Sequence, residues 1–180
     1  MIIGNTDIQR AIQNGDIVIT PYNRKNLNPN SYDVTLAPEI YRVMPNSITG
    51  KYIDSKKETF LSKVDMNENG GFVLEPNKLY LGRTVEKTHC KIHVPMIEGV
   101  SSYGRIGVFV HVTAGFGDVG FDGFWTLEIV VVEPTIIYPN HRIAQIYFNE
   151  VKGCSIPYHG KYNKNEGIQT SKLWTEFNNK

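Results

Sequence analysis

Residues 95 to 129, "PMIEGVSSYGRIGVFVHVTAGFGDVGFDGFWTLEI", hold the side chains best suited to chemistry. The serines Ser101 and Ser102 are followed by Arg105, then by a turn-rich stretch with Asp118, then by Glu128 inside an apolar run. In "FWTLEIVVVE" strand alternation puts Trp125, Leu127, Ile129 and Val131 on one face and Thr126, Glu128, Val130 and Val132 on the other. Glu128 then shares its face with valines and a threonine, which disfavours the charged form unless a cation stands near. A carboxylate held there could serve as general base and acid. A solvent-facing edge position, or a pair with a structural arginine, explains the same spacing, and periodicity alone favours these plainer accounts.

"SSYGRIG" is too short and glycine-rich for a long helix, but one or two turns would set Ser101 and Arg105 on one face. Serine hydroxyls and N–H groups at a helix start can hold an anion. An arginine, always charged, can hold a water or neutralise a carboxylate. A capping serine and an arginine bridging two strands fit equally well. Asp118 lies among glycines and reads first as a turn residue, although its carboxylate could also accept from a sugar hydroxyl or activate a water.

Something must position these groups, and the rest of the chain reads mostly as strands. A short helix opens it, with Asn5 or Thr6 as cap, Ile8, Ala11 and Ile12 on one face and Gly15 at its end. "DIVITP", "SYDVTL", "EIYRVM", "GFVLEP", "KLYLGRTV", "CKIHVP", "GVFVHV", "FWTLEIVVVE" and "IAQIYFNEV" are short, rich in β-branched and aromatic residues, and separated by turn residues. The expectation is a mainly β sandwich or distorted barrel. Pro45 to Gly71 reads as a long connection or peripheral hairpin. "YHGKYNKNEGIQTSKLW" reads either as a frayed tail or as a segment that orders over a ligand.

The chain of 180 residues suits one domain, with residues 1–157 as its β body and 158–180 as a tail or lid of the same domain. Its 41% apolar and 21% charged residues are those of an ordinary globular protein. A net charge of +1 offers no polybasic field for wrapping nucleic acid. Apolar runs such as "LEIVVV" are too short to span a bilayer, and "MIIGNTDIQR" lacks the pattern of a secretory signal. Cys90 and Cys154 form no metal-ligand spacing. They could pair, but a reduced, cytoplasmic protein is the better expectation.

The order of the motifs says more than any one of them. "NPNSYDVTL", "EGVSSYGRIG", "HVTAGFGDVGFDGFWTLEI", "HRIAQIYF" and "YHGKYNKNEG" follow one another along the chain. Together they resemble the dCTP deaminase family, within the trimeric dUTPase-like superfamily. The resemblance is dense from 95 to 167 and thin across 45 to 71. It implies a distorted β-barrel or jelly-roll of the dUTPase-like type, with a short N-terminal helix and a C-terminal lid, assembled as a homotrimer with active sites between subunits. It further implies Glu128 as catalytic acid and base, with Ser101, Arg105 and the Ala114 carbonyl around the attacking water. The substrate-binding positions it implies are Ser102, Asp118, Gln145, Tyr158, Lys161, Tyr162 and Asn165. The partner would be a small deoxynucleotide, not a nucleic acid or a membrane.

Deamination by this set needs no zinc. The zinc deaminases carry H-x-E with P-C-x-x-C, and neither occurs here. Magnesium would enter only with the nucleotide phosphates, and His111 reads as structural or as a donor behind the site rather than as a base. Two positions depart from the family pattern: Val100 stands where an arginine usually precedes the serines, and Asn165 where a glutamine is common. Losing a bidentate phosphate ligand weakens the grip on a triphosphate and makes a dCMP or modified-cytosine substrate an alternative. The first expectation is dCTP to dUTP and ammonia. The others are a bifunctional enzyme giving dUMP and pyrophosphate, towards which "TAGF" points, and a nucleotide-binding regulator without turnover.

Overall fold

The computed structural model describes residues 1–45, 50–153 and 155–178. Cys154 lies outside the described residues, and so does the pairing considered for it. Cys90 is buried, its thiol pushed up to about 12 by burial.

The first element is α1 (Asn5–Gln13), which buries Ile8 and Ala11. Gly4, rather than Asn5 or Thr6, is its N-cap, and no side chain caps it; the Gly4 carbonyl accepts from Asp7 and Ile8 instead. Gly15, at φ 72°, turns the chain out of the helix.

Three antiparallel sheets follow. The largest runs β4 (Phe60–Lys63), β3 (Tyr41–Met44), β6 (Tyr80–Cys90), β9 (Asp122–Val131), β8 (Val108–Val110), with β1 (Ile17–Thr20) on the far half of β6. A second runs β2 (Tyr32–Thr35), β11 (Arg142–Glu150), β7 (His93–Gly99). The third pairs β10 (Thr135–Ile137) with β5 (Phe72–Leu74). Short helical turns complete the fold: α2 (Ser101–Gly104) between β7 and β8, and α3 (Trp174–Asn178) in the tail.

The core forms where inward faces meet. Leu127 and Ile129 of β9, Ile146 and Phe148 of β11, Ile97 of β7 and Tyr32 of β2 belong to one buried cluster. Burying such a side chain is worth about 1.5–3 kcal/mol, which fixes each strand's register because a slip of one residue would turn its apolar set outward.

β6 is the spine, and it is longer than the sequence suggests. "KTHC" looks too polar for a central strand, yet Thr88 and Cys90 are fully buried. The β6–β9 register breaks between Arg83 and Lys87. There the Thr84 hydroxyl accepts from the Trp125 N–H at 3.1 Å and donates to the Glu86 carbonyl at 2.7 Å, satisfying groups the ladder leaves open. The Glu86 carboxylate, 3% exposed, accepts from the N–H and the hydroxyl of Thr35, each at 2.8 Å. A single side chain thereby ties β2 of the second sheet to β6 of the first. Two strands escape sequence reading: β4 is an exposed edge without alternation, and β10 is only three residues long. β3 and β4 pair as a peripheral hairpin, one of the two expectations for Pro45 to Gly71, of which residues 46–49 lie outside the described residues.

Candidate active site

β9 alternates as its sequence indicates. Trp125, Leu127, Ile129 and Val131 are buried, while Thr126, Glu128 and Val130 are half-buried on the opposite face. Glu128 lines a cavity of about 530 Å³ together with Ala114, Asp118, Tyr158, Tyr162 and Asn165. Among the described residues its carboxylate has one neighbouring donor, the Thr113 hydroxyl at 3.5 Å, and no ion pair.

The loop leading from β8 into this cavity is shaped by His111. At φ 58° it ends the β8 ladder, its N–H donating to the Glu128 carbonyl at 2.8 Å. Its imidazole Nε2 then meets the Ala114 carbonyl at 2.8 Å. Burial lowers the His111 pKa, opposed by the Glu128 charge and by this bond, so the ring is held neutral with Nε2–H as the donor. The ring lies edge-on to Trp125, centroids 6.2 Å apart, and Trp125 is pinned by its own Nε1–H to the Thr88 hydroxyl at 2.9 Å. His111 thus holds the Ala114 carbonyl while forming part of the cavity wall itself. A carbonyl oxygen carries two lone pairs, so the Ala114 oxygen can accept from a water as well. The Asp118 carbonyl closes a turn onto the Phe121 N–H at 3.1 Å, in keeping with its reading as a turn residue, and the residue also lines the cavity.

The tail is seated rather than frayed. The Tyr158 N–H donates to the Val119 carbonyl at 2.7 Å, and the Gln169 N–H to the Thr126 hydroxyl at 2.9 Å. Gln169, Thr170 and Ser171 thereby join the cavity wall, as do Ile53 and Thr59. None of these carries a sequence signal, because ordinary polar residues enter through the path of the backbone. Lys161, expected at phosphates, pairs with Glu176 of α3.

Ser101, Ser102 and Gln145 lie elsewhere, in a second cavity of about 790 Å³. α2 is one turn, where one or two were expected, with the Arg105 N–H on the Ser101 carbonyl at 3.0 Å. Arg105 is exposed and lines neither cavity. The Ser31 hydroxyl donates to the Gln145 Oε1 at 3.0 Å, while Arg142 and Asn28 both hold the nearly buried Asp33. Arg142 went unmarked in the sequence because "HRIAQ" drew attention only to its glutamine. One chain thus brings Glu128, Ala114, Asp118, Tyr158, Tyr162 and Asn165 together, and Ser101, Ser102 and Gln145 together, but not the two groups with each other, and it leaves Lys161 and Arg105 outside both. Among the described residues no group of three or more His, Cys, Asp or Glu is placed to hold a metal ion, and no helix is long and apolar enough to cross a membrane.

A family model described as dCTP deaminase-like matches residues 2–151. The chain belongs to this family. It is 48% identical over 178 residues to the "dCTP deaminase, dUMP-forming" of Hathewaya histolytica, covering 98% of this chain and 99% of that one. To the protein of the same name from Clostridium acetobutylicum it is 49% identical over 180 residues, covering 99% and 100%. The crystal structure of 2'-deoxycytidine 5'-triphosphate deaminase from Agrobacterium tumefaciens superposes with a TM-score of 0.63 at 22% identity, over 83% of this chain and 48% of that longer one. That likeness shows the mainly β, dUTPase-like fold.

Proposed function

We propose that the protein deaminates dCTP and hydrolyses the resulting deoxyuridine triphosphate to dUMP and pyrophosphate, as a cytoplasmic enzyme. The observation that carries this reading is Glu128, half-buried on an apolar strand face and opening into a cavity that the tail covers. The names of the relatives support the dUMP-forming alternative over release of dUTP.

Glu128 takes a proton from a water placed against the pyrimidine carbon that bears the amino group. The hydroxide adds to that carbon as Glu128 passes the proton to the neighbouring ring nitrogen; Glu128 then takes the proton of the new hydroxyl and delivers it to the amino group, and the C–N bond breaks to release ammonia as the carbonyl forms. The Ala114 carbonyl, steadied by His111, orients the water. Asp118 receives the deoxyribose hydroxyl, and Tyr158, Lys161 and Tyr162 close over the nucleotide, whose phosphates arrive with magnesium as part of the substrate. Asp118 and Glu128 serve again in the second step, activating water at the α-phosphorus.

The separation of the two cavities supports a homotrimer. Ser101, Ser102, Gln145 and Arg105 of one subunit would complete the Glu128 cavity of the next, bringing a guanidinium to the carboxylate and hydroxyls to the phosphates. Exposed apolar residues beside α2 and β8, among them Ile106 (56%), Phe109 (43%) and Val132 (54%), suit burial in such an assembly.

The test is turnover of dCTP, dCMP and dUTP with products resolved. The expected result is ammonia, dUMP and pyrophosphate from dCTP, with ammonia release reduced about a hundred- to ten-thousand-fold in Glu128→Gln. Accumulation of dUTP would leave a deaminase alone, and comparable kcat/KM on dCMP would point to the monophosphate. Ammonia release that survives Glu128→Gln unchanged would refute the assignment.

A further inference from the structure

The tail reaches the cavity along a track that the body of the protein has prepared for it. β8 pairs only with Ile129, Val130 and Val131 of β9, so the same edge of β9 is left open towards Asp122. An open edge presents unpaired backbone groups, and the tail covers it in an unusual way. No regular strand is added. The Asp122 N–H donates to the side-chain oxygen of Asn163 at 2.9 Å, and the Phe124 N–H to that of Asn165 at 3.0 Å. The Lys164 N–H returns a bond to the Asp122 carbonyl at 2.6 Å, and one isolated bridge joins Gly123 to Asn165. Lys87 on β6 adds an ion pair to Glu166 at 2.8 Å.

The fit is close enough to exclude other residues from the floor of the track. A Cβ at Gly123 would stand 2.7 Å from the Asn165 amide nitrogen and 2.9 Å from its Cγ. A Cβ at Gly120 would stand 2.8 Å from Pro157 and 3.0 Å from the Tyr158 nitrogen. Gly120 also has φ +86°, a conformation that side chains resist. Both glycines belong to "VGFDGF", so the turn before β9 serves as the socket of the tail.

Asn165 sits at the centre of this contact. It is 8% exposed, and both ends of its amide are engaged by protein: Oδ1 by the Phe124 N–H, Nδ2 by the Tyr162 carbonyl at 3.0 Å. The Tyr162 hydroxyl in turn accepts from the Lys172 N–H at 2.9 Å. From this geometry we infer that Asn165, with Gly120 and Gly123, is a positioning residue: it docks the tail onto β9 and sets Tyr158 and Tyr162 at the cavity without binding the nucleotide itself. The inference rests on the proposed function for its kinetic consequence and on the docking geometry alone for its structural one.

The experiment compares Asn165→Ala and Gly123→Ala with wild type, first by limited trypsin digestion without nucleotide and then by kinetics with dCTP. Removing the amide or filling its slot frees the tail, so cleavage after Lys161 and Lys164 accelerates about ten-fold or more in the free enzyme. KM rises by a comparable factor and more than kcat falls. Should Gly123→Ala fail to fold, Asn165→Ala carries the test by itself. Unchanged cleavage in the nucleotide-free variants, with the loss confined to KM, would make Asn165 a nucleotide ligand and overturn the inference. The digestion needs no turnover, so a chain that proved unable to deaminate dCTP would sink the proposed function and leave this result standing.

Discussion

Glu86 offers a prediction whose size can be worked out in advance. Its carboxyl is buried, forms no ion pair among the described residues, and accepts from the two Thr35 donors at 2.8 Å and from its own backbone N–H. Burial, the largest influence, raises its pKa above the ordinary glutamate value, and the Thr35 bonds and the bond from its own backbone N–H only partly offset this. Thr35→Val keeps the shape and the N–H but deletes the hydroxyl donor. A hydrogen bond to a charged group is worth about 1.5–3 kcal/mol. At about 2–4 °C per kcal/mol for a chain of this size, Tm should fall by about 3–12 °C. Glu86→Gln keeps an acceptor for the Thr35 N–H and removes the buried charge. Because the folded carboxyl holds its proton more tightly than the unfolded one, wild-type stability falls as pH rises from the ordinary glutamate value through the raised folded value. The stability of wild type relative to Glu86→Gln should therefore decline with rising pH and level off above that window. Denaturant unfolding of the three proteins at a series of pH values reads both effects. A relative stability that is flat or rising with pH, or a Thr35→Val cost below about 0.5 kcal/mol, would refute the reasoning.

Two further outcomes can be checked. His111 should titrate by NMR below the ordinary histidine range, and lower still in Glu128→Gln, because the carboxylate charge is among the influences that raise it; a higher midpoint in the variant would reverse that assignment. If active sites form between subunits of a trimer, co-refolding equal amounts of Glu128→Gln and Arg105→Ala should restore about a quarter of wild-type activity from two inactive parents, the share of interfaces that pair an intact Glu128 with an intact Arg105. A mixture as inactive as its parents would place each site within one chain.

The sequence was informative where side chains repeat. The face of Glu128 was legible because β9 alternates over its whole length, and the single turn at Ser101 because glycines bound it. It was much less so where polar residues are buried by particular partners. Thr88 and Glu86 hide in β6 because Trp125 and Thr35 bond to them, and no periodicity records such a bond. The same holds for the tail, whose asparagines look like solvent-exposed linker until the open edge of β9 is set beside them. Nor could spacing reveal that the serines and Glu128 would face different cavities of one chain, since that depends on how the sheets cross. The first helix shows a smaller version: the residues chosen as caps are present, but the cap is the glycine before them.

The docked tail has a consequence for a reaction in two stages. Its grip on the body comes from amide-to-backbone bonds and closely approached glycines, none of which changes when a cytosine loses its amino group. A cover fastened in this way would not loosen at the halfway point of the proposed reaction. The uracil nucleotide formed first would remain where it was made until its phosphate chain is cut, and little of it would escape into solution.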